Sequence, residues 1–171
     1  MTRRRPSSAA AGRRRAPTVL VVAGSDPTGG AGLQADLKTL EWFGVVGAAA
    51  VAAITVQTAT RVRASRPVAA PTLRAQLAAV AESTLPRVVK CGLLGSAANV
   101  RVVAEFVAPL GCALVVDPVT AASGGGARLG GARLADALVE RLFPLATVVT
   151  VNLPEAEHLC GWRITDEGGM R

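Results

Sequence analysis

One stretch decides the fold: Val19-Leu-Val-Val-Ala-Gly-Ser-Asp-Pro-Thr-Gly-Gly-Ala-Gly-Leu-Gln-Ala-Asp-Leu-Lys38. An apolar run ends at a turn rich in Gly, Ser, Asp and Pro, and a helical pattern that contains the acidic residue Asp36 follows. This order predicts a buried strand, a flexible turn and a helix. Because open α/β sheets bind ligands at the carboxyl ends of their strands, the turn is a candidate binding site.

The rest of the chain continues the alternation of strands and helices. We predict strands at 18–23, 46–56, 87–94, 112–119 and 147–151, helices at 31–43, 71–85, 97–107, 132–143 and 152–160, and a loop at 60–70. Helices of this length between strands predict βαβ units and a mainly parallel sheet of the α/β class. Aromatic residues make up only 3% of the chain, so Ala, Val and Leu must build the core.

Positive charge is concentrated at the N-terminus. Six of the seven net charges come from arginines within residues 1–18, which contain no acidic residue. The composition of residues 1–17 predicts a disordered basic tail, and the predicted domain spans residues 18–171. No aromatic residues interleave with the arginines, so we expect no specific nucleic-acid partner. A tail that associates with nucleic acid and an organellar targeting segment are the alternatives.

The cysteines are odd in number and widely spaced. Cys91, Cys112 and Cys160 form no Cys-x-x-Cys pair, which predicts reduced core thiols, no zinc site and a cytoplasmic location. The apolar run Val45–Ile54 is interrupted by Gly47 and is far shorter than a bilayer span, so no membrane association is predicted.

Polar residues close the first two predicted strands. The glycine-rich turn has neither the Walker spacing nor the dinucleotide-binding spacing. Asp36 either favours the helix dipole or faces a ligand over the sheet. Thr55 and Gln57 close the second strand, and the Gln amide, which both donates and accepts, suits the edge of a heterocycle. A solvated strand end is the alternative for both residues.

Acidic and amide residues follow the last two predicted strands. Asp117 ends the fourth strand, and Asn152 and Glu155 follow the fifth. The carboxyl ends of neighbouring parallel strands meet at one edge, where such groups can hold hydrated Mg²⁺ and nucleotide phosphates. The alternative for Asn152 and Glu155 is a helix N-terminal cap. His158, the single histidine, is interpreted as structural rather than as a general base.

Three segments together resemble the hydroxymethylpyrimidine/phosphomethylpyrimidine kinases of thiamine biosynthesis, which belong to the ribokinase-like superfamily. They are Ala23-Gly-Ser-Asp-Pro-Thr-Gly-Gly-Ala-Gly-Leu-Gln-Ala-Asp-Leu-Lys-Thr39, Val116-Asp-Pro-Val119 and Val151-Asn-Leu-Pro-Glu-Ala-Glu157. The resemblance implies a three-layer αβα fold. It also implies ATP-dependent phosphorylation of 4-amino-5-hydroxymethyl-2-methylpyrimidine and then of its monophosphate.

The resemblance further implies roles for individual residues. Those around the pyrimidine would be Gly24, Asp36, Thr55, Gln57 and Leu93. Those on the side of Mg²⁺ and the ATP phosphates would be Asp117, Asn152 and Glu155, with Asp117 and Glu155 as metal ligands.

The chain departs from the pattern of this family at three places. Val151 stands where the family usually has Pro, and the Gly- and Ala-rich loop Thr120–Ala127 lacks the lysine often found before its Ser-Gly pair. No segment matches the family's C-terminal Lys-Gly-Gly and Gly-Thr-Gly-Cys motifs. We therefore expect a C-terminally truncated fold without meaningful kinase activity of its own, because the anion hole dominates such catalysis. An unpaired sheet edge would favour low solubility and self-association.

Two other functions are consistent with the same residues. A pyridoxal kinase would bind a similar flat heterocycle with a hydroxymethyl arm. A non-catalytic module would bind the pyrimidine with the first half of the site and would not depend on ATP.

Overall fold

The computed structural model describes residues 18–120, 129–131 and 133–169. Its strands are β1 Thr18–Ser25, β2 Val46–Gln57, β3 Val62–Pro67, β4 Val88–Cys91, β5 Ala113–Val116 and β6 Val148–Val149. Its helices are α1 Gly32–Trp42, α2 Ala70–Ser83, α3 Ala97–Val107, α4 Leu134–Ala137 and α5 Leu153–Cys160. A π-helical turn, Leu138–Leu142, and a 3-10 turn, Phe143–Leu145, continue α4. The predicted basic tail lies outside the described residues.

The strands form one sheet in the order β3-β2-β1-β4-β5-β6. The pairs β1–β2, β1–β4, β4–β5 and β5–β6 are parallel, and β2–β3 is antiparallel. The prediction of a mainly parallel α/β sheet is confirmed. The carboxyl ends of β1, β2, β4 and β5 consequently meet at one edge of the sheet.

The prediction of a loop at residues 60–70 is wrong, because β3 lies within it. Three arginines and Pro67 suggested irregular chain, but β3 is an edge strand, and among the described strands it pairs with β2 alone. An edge strand tolerates charged residues and a terminal proline, since one of its sides needs no hydrogen-bonding partner in the sheet. The single helix predicted at 132–143 is also wrong in detail, since α4 passes into the π-helical and 3-10 turns.

Alternate residues of β1 supply the two faces of the sheet. Leu20 and Val22 pack toward α2, α3 and α4, whereas Val21 and Ala23 pack against Leu33 of α1. The first of these clusters is the larger and includes Leu73, Leu77, Val89, Val100, Val103, Leu114, Val116, Leu134 and Leu142. With helices on both faces, the three-layer αβα arrangement is confirmed.

The cysteines differ in their surroundings. Cys91 is buried in the larger cluster, and this burial raises the pKa of its thiol to about 12. Cys112 is half-buried, and burial also raises the pKa of its thiol. Cys160, the last residue of α5, is exposed, so the prediction of a core thiol is wrong there. Among the described residues, no helix is both long enough and apolar enough to cross a bilayer.

Candidate active site

Asp26 organises the turn that follows β1. We call residues 24–32 the glycine-rich loop. The buried Asp26 carboxylate accepts hydrogen bonds from the Thr28 amide at 2.8 Å, the Thr28 hydroxyl at 2.9 Å, the Gly30 amide at 3.1 Å and the Ala31 amide at 2.9 Å. Burial alone would raise the pKa of Asp26, but the hydrogen bonds from Thr28 and Ala31, together with the nearby polar side chain of Gln57, hold that pKa below its ordinary value.

Two glycines let the loop fold tightly over the end of β1. Gly32 has a φ of +57°, and a Cβ there would collide with the Gly24 carbonyl oxygen. A Cβ on Gly24 would lie 3.1 Å from Leu93 Cδ2, so the bare backbone of Gly24 allows Leu93 to approach. The register between β1 and β2 shifts between Ala23 and Gly24, because β2 contains one extra residue, Ala52, at this point.

The first turns of α1 fasten the loop to the sheet. The Gln34 side chain accepts a hydrogen bond from the Asp26 amide at 2.9 Å and donates one to the Ser25 hydroxyl at 2.7 Å. Asp26 and Gln34 therefore fix the loop from both ends, and the loop needs no ligand to keep its shape.

Three charged residues from different elements meet beside the loop, and we call them the charged cluster. Lys90 of β4 places its Nζ 2.8 Å from Asp36 Oδ2 on α1 and 3.8 Å from Asp117 Oδ2, which follows β5. The side chains of Lys90 and Asp36 are each about one quarter exposed (24% and 25%). Burial raises the pKa of Asp117; Lys90 opposes this rise, and the like charge of Asp36 adds to it.

A cavity of about 400 Å³ lies between the glycine-rich loop, the charged cluster and the turn that joins β2 to β3. Its lining includes Gly24, Gln57, Arg61, Lys90, Leu93 and Asp117. The lining is mixed, with apolar contact from Leu93, an amide from Gln57 and charges of both signs. Ligand sites for small molecules have this size and this mixture of a few polar groups among apolar ones.

The cavity brings together half of the residues that the sequence proposed for the site. Gly24, Gln57, Leu93 and Asp117 all line it. Asp36 is not among the lining residues and reaches the cavity only through Lys90. The hydroxyl of the buried Thr55 donates a hydrogen bond to the Ser25 carbonyl oxygen at 2.9 Å, which ties β2 to the end of β1.

Asn152 and Glu155 form the N-terminal cap of α5. The Asn152 side chain accepts from the Glu155 amide at 2.9 Å, and Glu155 Oε2 accepts from the Asn152 amide at 3.1 Å. This capping box is the alternative that the sequence left open. Neither residue lines the cavity. The exposed His158 lies in the last turn of α5.

Comparison with known proteins identifies the family. The family model described as "Phosphomethylpyrimidine kinase" matches residues 26–171. The chain belongs to the phosphomethylpyrimidine kinase family. The resemblance seen in the sequence is thereby confirmed.

Alignment with relatives in the family shows how much of their length this chain covers. The hydroxymethylpyrimidine/phosphomethylpyrimidine kinase of Haemophilus influenzae is 46% identical over 151 residues, which cover 87% of this chain and 55% of the relative. The corresponding protein of Streptomyces coelicolor is 41% identical over 155 residues, which cover 91% of this chain and 57% of the relative. The chain therefore spans just over half the length of these relatives.

Solved structures agree with this assignment and confirm the ribokinase-like fold. The phosphomethylpyrimidine kinase of Clostridium difficile superposes with a TM-score of 0.81 at 36% identity, covering 91% of this chain and 67% of that one. A pyridoxal kinase of Staphylococcus aureus, in complex with AMP-PCP and pyridoxal, superposes with a TM-score of 0.76 at 31% identity. The superposition covers 91% of this chain and 55% of the pyridoxal kinase.

The predicted magnesium ligands provide few oxygen atoms. Among the described residues, no three or more His, Cys, Asp or Glu side chains are grouped so that they could hold a metal ion. Glu155 Oε2 is engaged in the cap of α5, and Asp117 Oδ2 faces the Lys90 ammonium. One oxygen of each carboxylate is left for a metal. This donor set fits Mg²⁺ only if the ion keeps most of its waters or gains phosphate oxygens, as Mg²⁺ commonly does.

Sequence reasoning missed two residues that line the candidate site, Asp26 and Lys90. Asp26 stands in Ser25-Asp-Pro-Thr28, a typical sequence for an Asx turn, in which the carboxylate binds backbone amides two residues on. Lys90 is the single charged residue between Val88 and Gly95. A lysine in a buried strand needs an acidic partner, so the strand itself signalled an ion pair.

Proposed function

We propose that this protein binds 4-amino-5-hydroxymethyl-2-methylpyrimidine in the cavity and takes part in its ATP-dependent phosphorylation, and in that of its monophosphate, in thiamine biosynthesis. One observation carries the proposal. In a chain of this family, Gly24, Gln57, Leu93 and Asp117, which come from four separate segments, line one cavity of about 400 Å³ at the carboxyl edge of the sheet.

The lining suits a flat, polar-edged heterocycle. Leu93 offers an apolar surface for a ring face, and the bare backbone of Gly24 lets this side chain pack against the end of β1, where both residues line the cavity. The Gln57 amide offers one donor group and one acceptor group, which match an exocyclic amino group beside a ring nitrogen. The pyrimidine ring would therefore lie over the carboxyl ends of β1 and β4 with its edge toward Gln57.

ATP and Mg²⁺ would bind on the side of Asp117. Bound Mg²⁺ supplies charge neutralisation for the phosphates, which is the main requirement of phosphoryl transfer. Asp117 and Glu155 would hold it through their remaining carboxylate oxygens, and Asn152 would orient Glu155 through the cap of α5. We further propose a cytoplasmic location, self-association and no specific nucleic-acid partner.

Pyridoxal is the second candidate substrate. The Staphylococcus aureus pyridoxal kinase that superposes on this chain was solved with pyridoxal bound. Pyridoxal and the pyrimidine share a flat ring and a hydroxymethyl arm, so Leu93 and Gly24 would accept either. Gln57 favours the pyrimidine, because the amino group beside a ring nitrogen gives its amide two partners.

Isothermal titration of the purified protein with each heterocycle tests this proposal. We expect saturable binding of the pyrimidine, weaker binding of pyridoxal, and a loss of about tenfold in pyrimidine affinity in Gln57→Ala, since a lost paired hydrogen bond is worth about 1.4 kcal/mol. Glu82→Ala, an exposed substitution on α2, is the control and should bind like the wild type. Absence of pyrimidine binding would overturn the proposal. Tighter binding of pyridoxal than of the pyrimidine would instead favour pyridoxal as the substrate.

A coupled assay with Mg²⁺-ATP separates binding from transfer. We expect the 171-residue polypeptide to bind the pyrimidine without meaningful turnover, because no segment of it matches the anion-hole motif. Turnover at rates usual for such kinases would show that the residues present suffice for transfer. Pyrimidine binding whose affinity does not change when ATP is added, with no turnover, would favour the non-catalytic module.

A further inference from the structure

Lys90 brings a positive charge to the wall of the cavity, and the fold holds that charge in place. Residues 90 and 92 point to the same face of β4 and its extension, because strand side chains alternate. A Cβ on Gly92 would lie 3.3 Å from Lys90 Nζ and 3.2 Å from the Ala23 Cβ. The missing side chain of Gly92 therefore provides the space that the ammonium group occupies.

Asp36 forms an ion pair with the ammonium group of Lys90. Its Oδ2 lies 2.8 Å from Lys90 Nζ, and both side chains are about three-quarters buried. Asp117 Oδ2 lies 3.8 Å from the same nitrogen, which is too far for a hydrogen bond. Since an ammonium group has three N–H donors and Asp36 takes one, donors remain for a molecule in the cavity.

Apart from Asp117, the charged groups that the structure describes around the cavity do not compete for these donors. The Asp26 carboxylate is occupied by the amides of the glycine-rich loop. Arg61, in the turn between β2 and β3, contributes a second positive charge to the lining. Because Asp36 and Asp117 place two carboxylates beside Lys90, a bound group with negative or electron-rich oxygens would be held there by direct hydrogen bonds from the ammonium group rather than by the net charge of the cluster.

We propose that Lys90 binds the oxygen of the substrate's hydroxymethyl arm, or the phosphate on that arm, and that Asp36 is a positioning residue that acts through Lys90. The proposal rests on the proposed function, since it concerns the substrate named there. It replaces the direct contact between Asp36 and the pyrimidine that the sequence predicted. A phosphomonoester gains more than a neutral alcohol from an ammonium group, because hydrogen bonds between ions are the stronger ones.

A double-mutant cycle of K90M and D36N tests the proposal by titration with the pyrimidine alcohol and its monophosphate. We expect K90M to weaken monophosphate binding by at least about tenfold and alcohol binding by no more than about threefold. D36N should weaken both in the wild-type background and neither in the K90M background, because positions that act through one another are not additive. K90R should recover a large part of the monophosphate affinity.

R74M is the matched control. Arg74 also forms an ion pair, with Glu105, but this pair is exposed and joins α2 to α3. R74M should leave both affinities within twofold of wild type. Circular dichroism and the thermal midpoint report folding. Should K90M fail to fold, D36N and K90R still test the proposal, since D36N must weaken monophosphate binding more than alcohol binding and K90R must keep most of the monophosphate affinity.

The outcomes separate this proposal from the proposed function. Wild-type protein that binds neither compound would overturn the proposed function and the Lys90 proposal together. Wild-type binding that K90M leaves unchanged would overturn the Lys90 proposal alone. Additive losses in D36N and K90M would show that Asp36 contacts the substrate directly and would overturn its positioning role.

Discussion

The glycine-rich loop and the charged cluster, which lie on two sides of the cavity, differ in how their polar groups are satisfied. In the glycine-rich loop, the Asp26 carboxylate satisfies the loop's own amides, and Gly32 allows a turn that no other residue fits. In the charged cluster, Lys90 keeps donors that its acidic neighbours do not use. The hydrogen bonds within the loop fix its shape without a ligand, whereas we propose that the cluster provides charge for one.

Gly32→Ala should have the largest effect, because it removes the shape of the loop. The new Cβ would collide with the Gly24 carbonyl, and φ there is +57°. We expect a loss of more than about 3 kcal/mol in unfolding free energy and no measurable pyrimidine binding. Gly44→Ala is the matched control, since φ is +68° but nothing lies within 4 Å, and it should cost only about 1 kcal/mol. Equal losses of unfolding free energy in the two variants would show that the collision with the Gly24 carbonyl does not determine the effect.

Asp26→Asn should destabilise the loop less severely. The amide group would present N–H donors to the Gly30 and Ala31 amides, at a cost of about 2 kcal/mol. Urea denaturation between pH 3 and 7 measures this.

The effect of Asp26→Asn should also depend on pH in one direction. The pKa of Asp26 is lower in the folded protein, so its stabilisation is complete above the unfolded value of about 3.9 and is lost as the pH falls through the folded value. The difference between wild type and variant should therefore be constant from pH 5 to 7 and shrink below about pH 4. A difference that grows on acidification would contradict this role of Asp26.

Gly92→Ala should disturb the charged cluster while leaving the loop intact. The added methyl group would meet Lys90 Nζ and the Ala23 Cβ, and displacing the ammonium should weaken monophosphate binding by about three- to tenfold. Gly131→Ala, where nothing lies within 4 Å, is the control. Titration calorimetry measures both variants, and unchanged affinity in Gly92→Ala would show that the position of the ammonium does not matter.

Thr55→Val should have the smallest effect on the cavity. It removes the hydrogen bond to the Ser25 carbonyl oxygen and should cost about 1 kcal/mol of stability. Pyrimidine affinity should change by less than about twofold, a difference of about 0.4 kcal/mol. A tenfold loss of affinity with unchanged stability would instead place Thr55 in contact with the ligand.

The parts predicted correctly from sequence are those that local patterns specify. The apolar run of β1 and the glycine-rich turn are determined by neighbouring residues, so the strand, the turn and α1 could be predicted together. Gln57 and Asp117 could be placed at one edge because parallel strands end on the same side.

The parts that were missed depend on contacts between distant residues. Strand β3 exists through its pairing with β2, and its own composition resembles a loop. A lysine in the buried strand β4 indicates that an acidic partner exists, but the Asp36–Lys90 ion pair joins residues 54 positions apart, so no local spacing identifies Asp36 as that partner. The residue roles at the site stay predictions until binding is measured.

A structure of the protein with 4-amino-5-hydroxymethyl-2-methylpyrimidine bound tests the central claim most directly. The account predicts the ring beside Leu93 and the Gly24 backbone, its edge hydrogen-bonded to Gln57, and the arm oxygen within hydrogen-bond distance of Lys90 Nζ. A ring bound outside this cavity, or one whose edge is held by Asp36 while its arm points away from Lys90, would contradict the account.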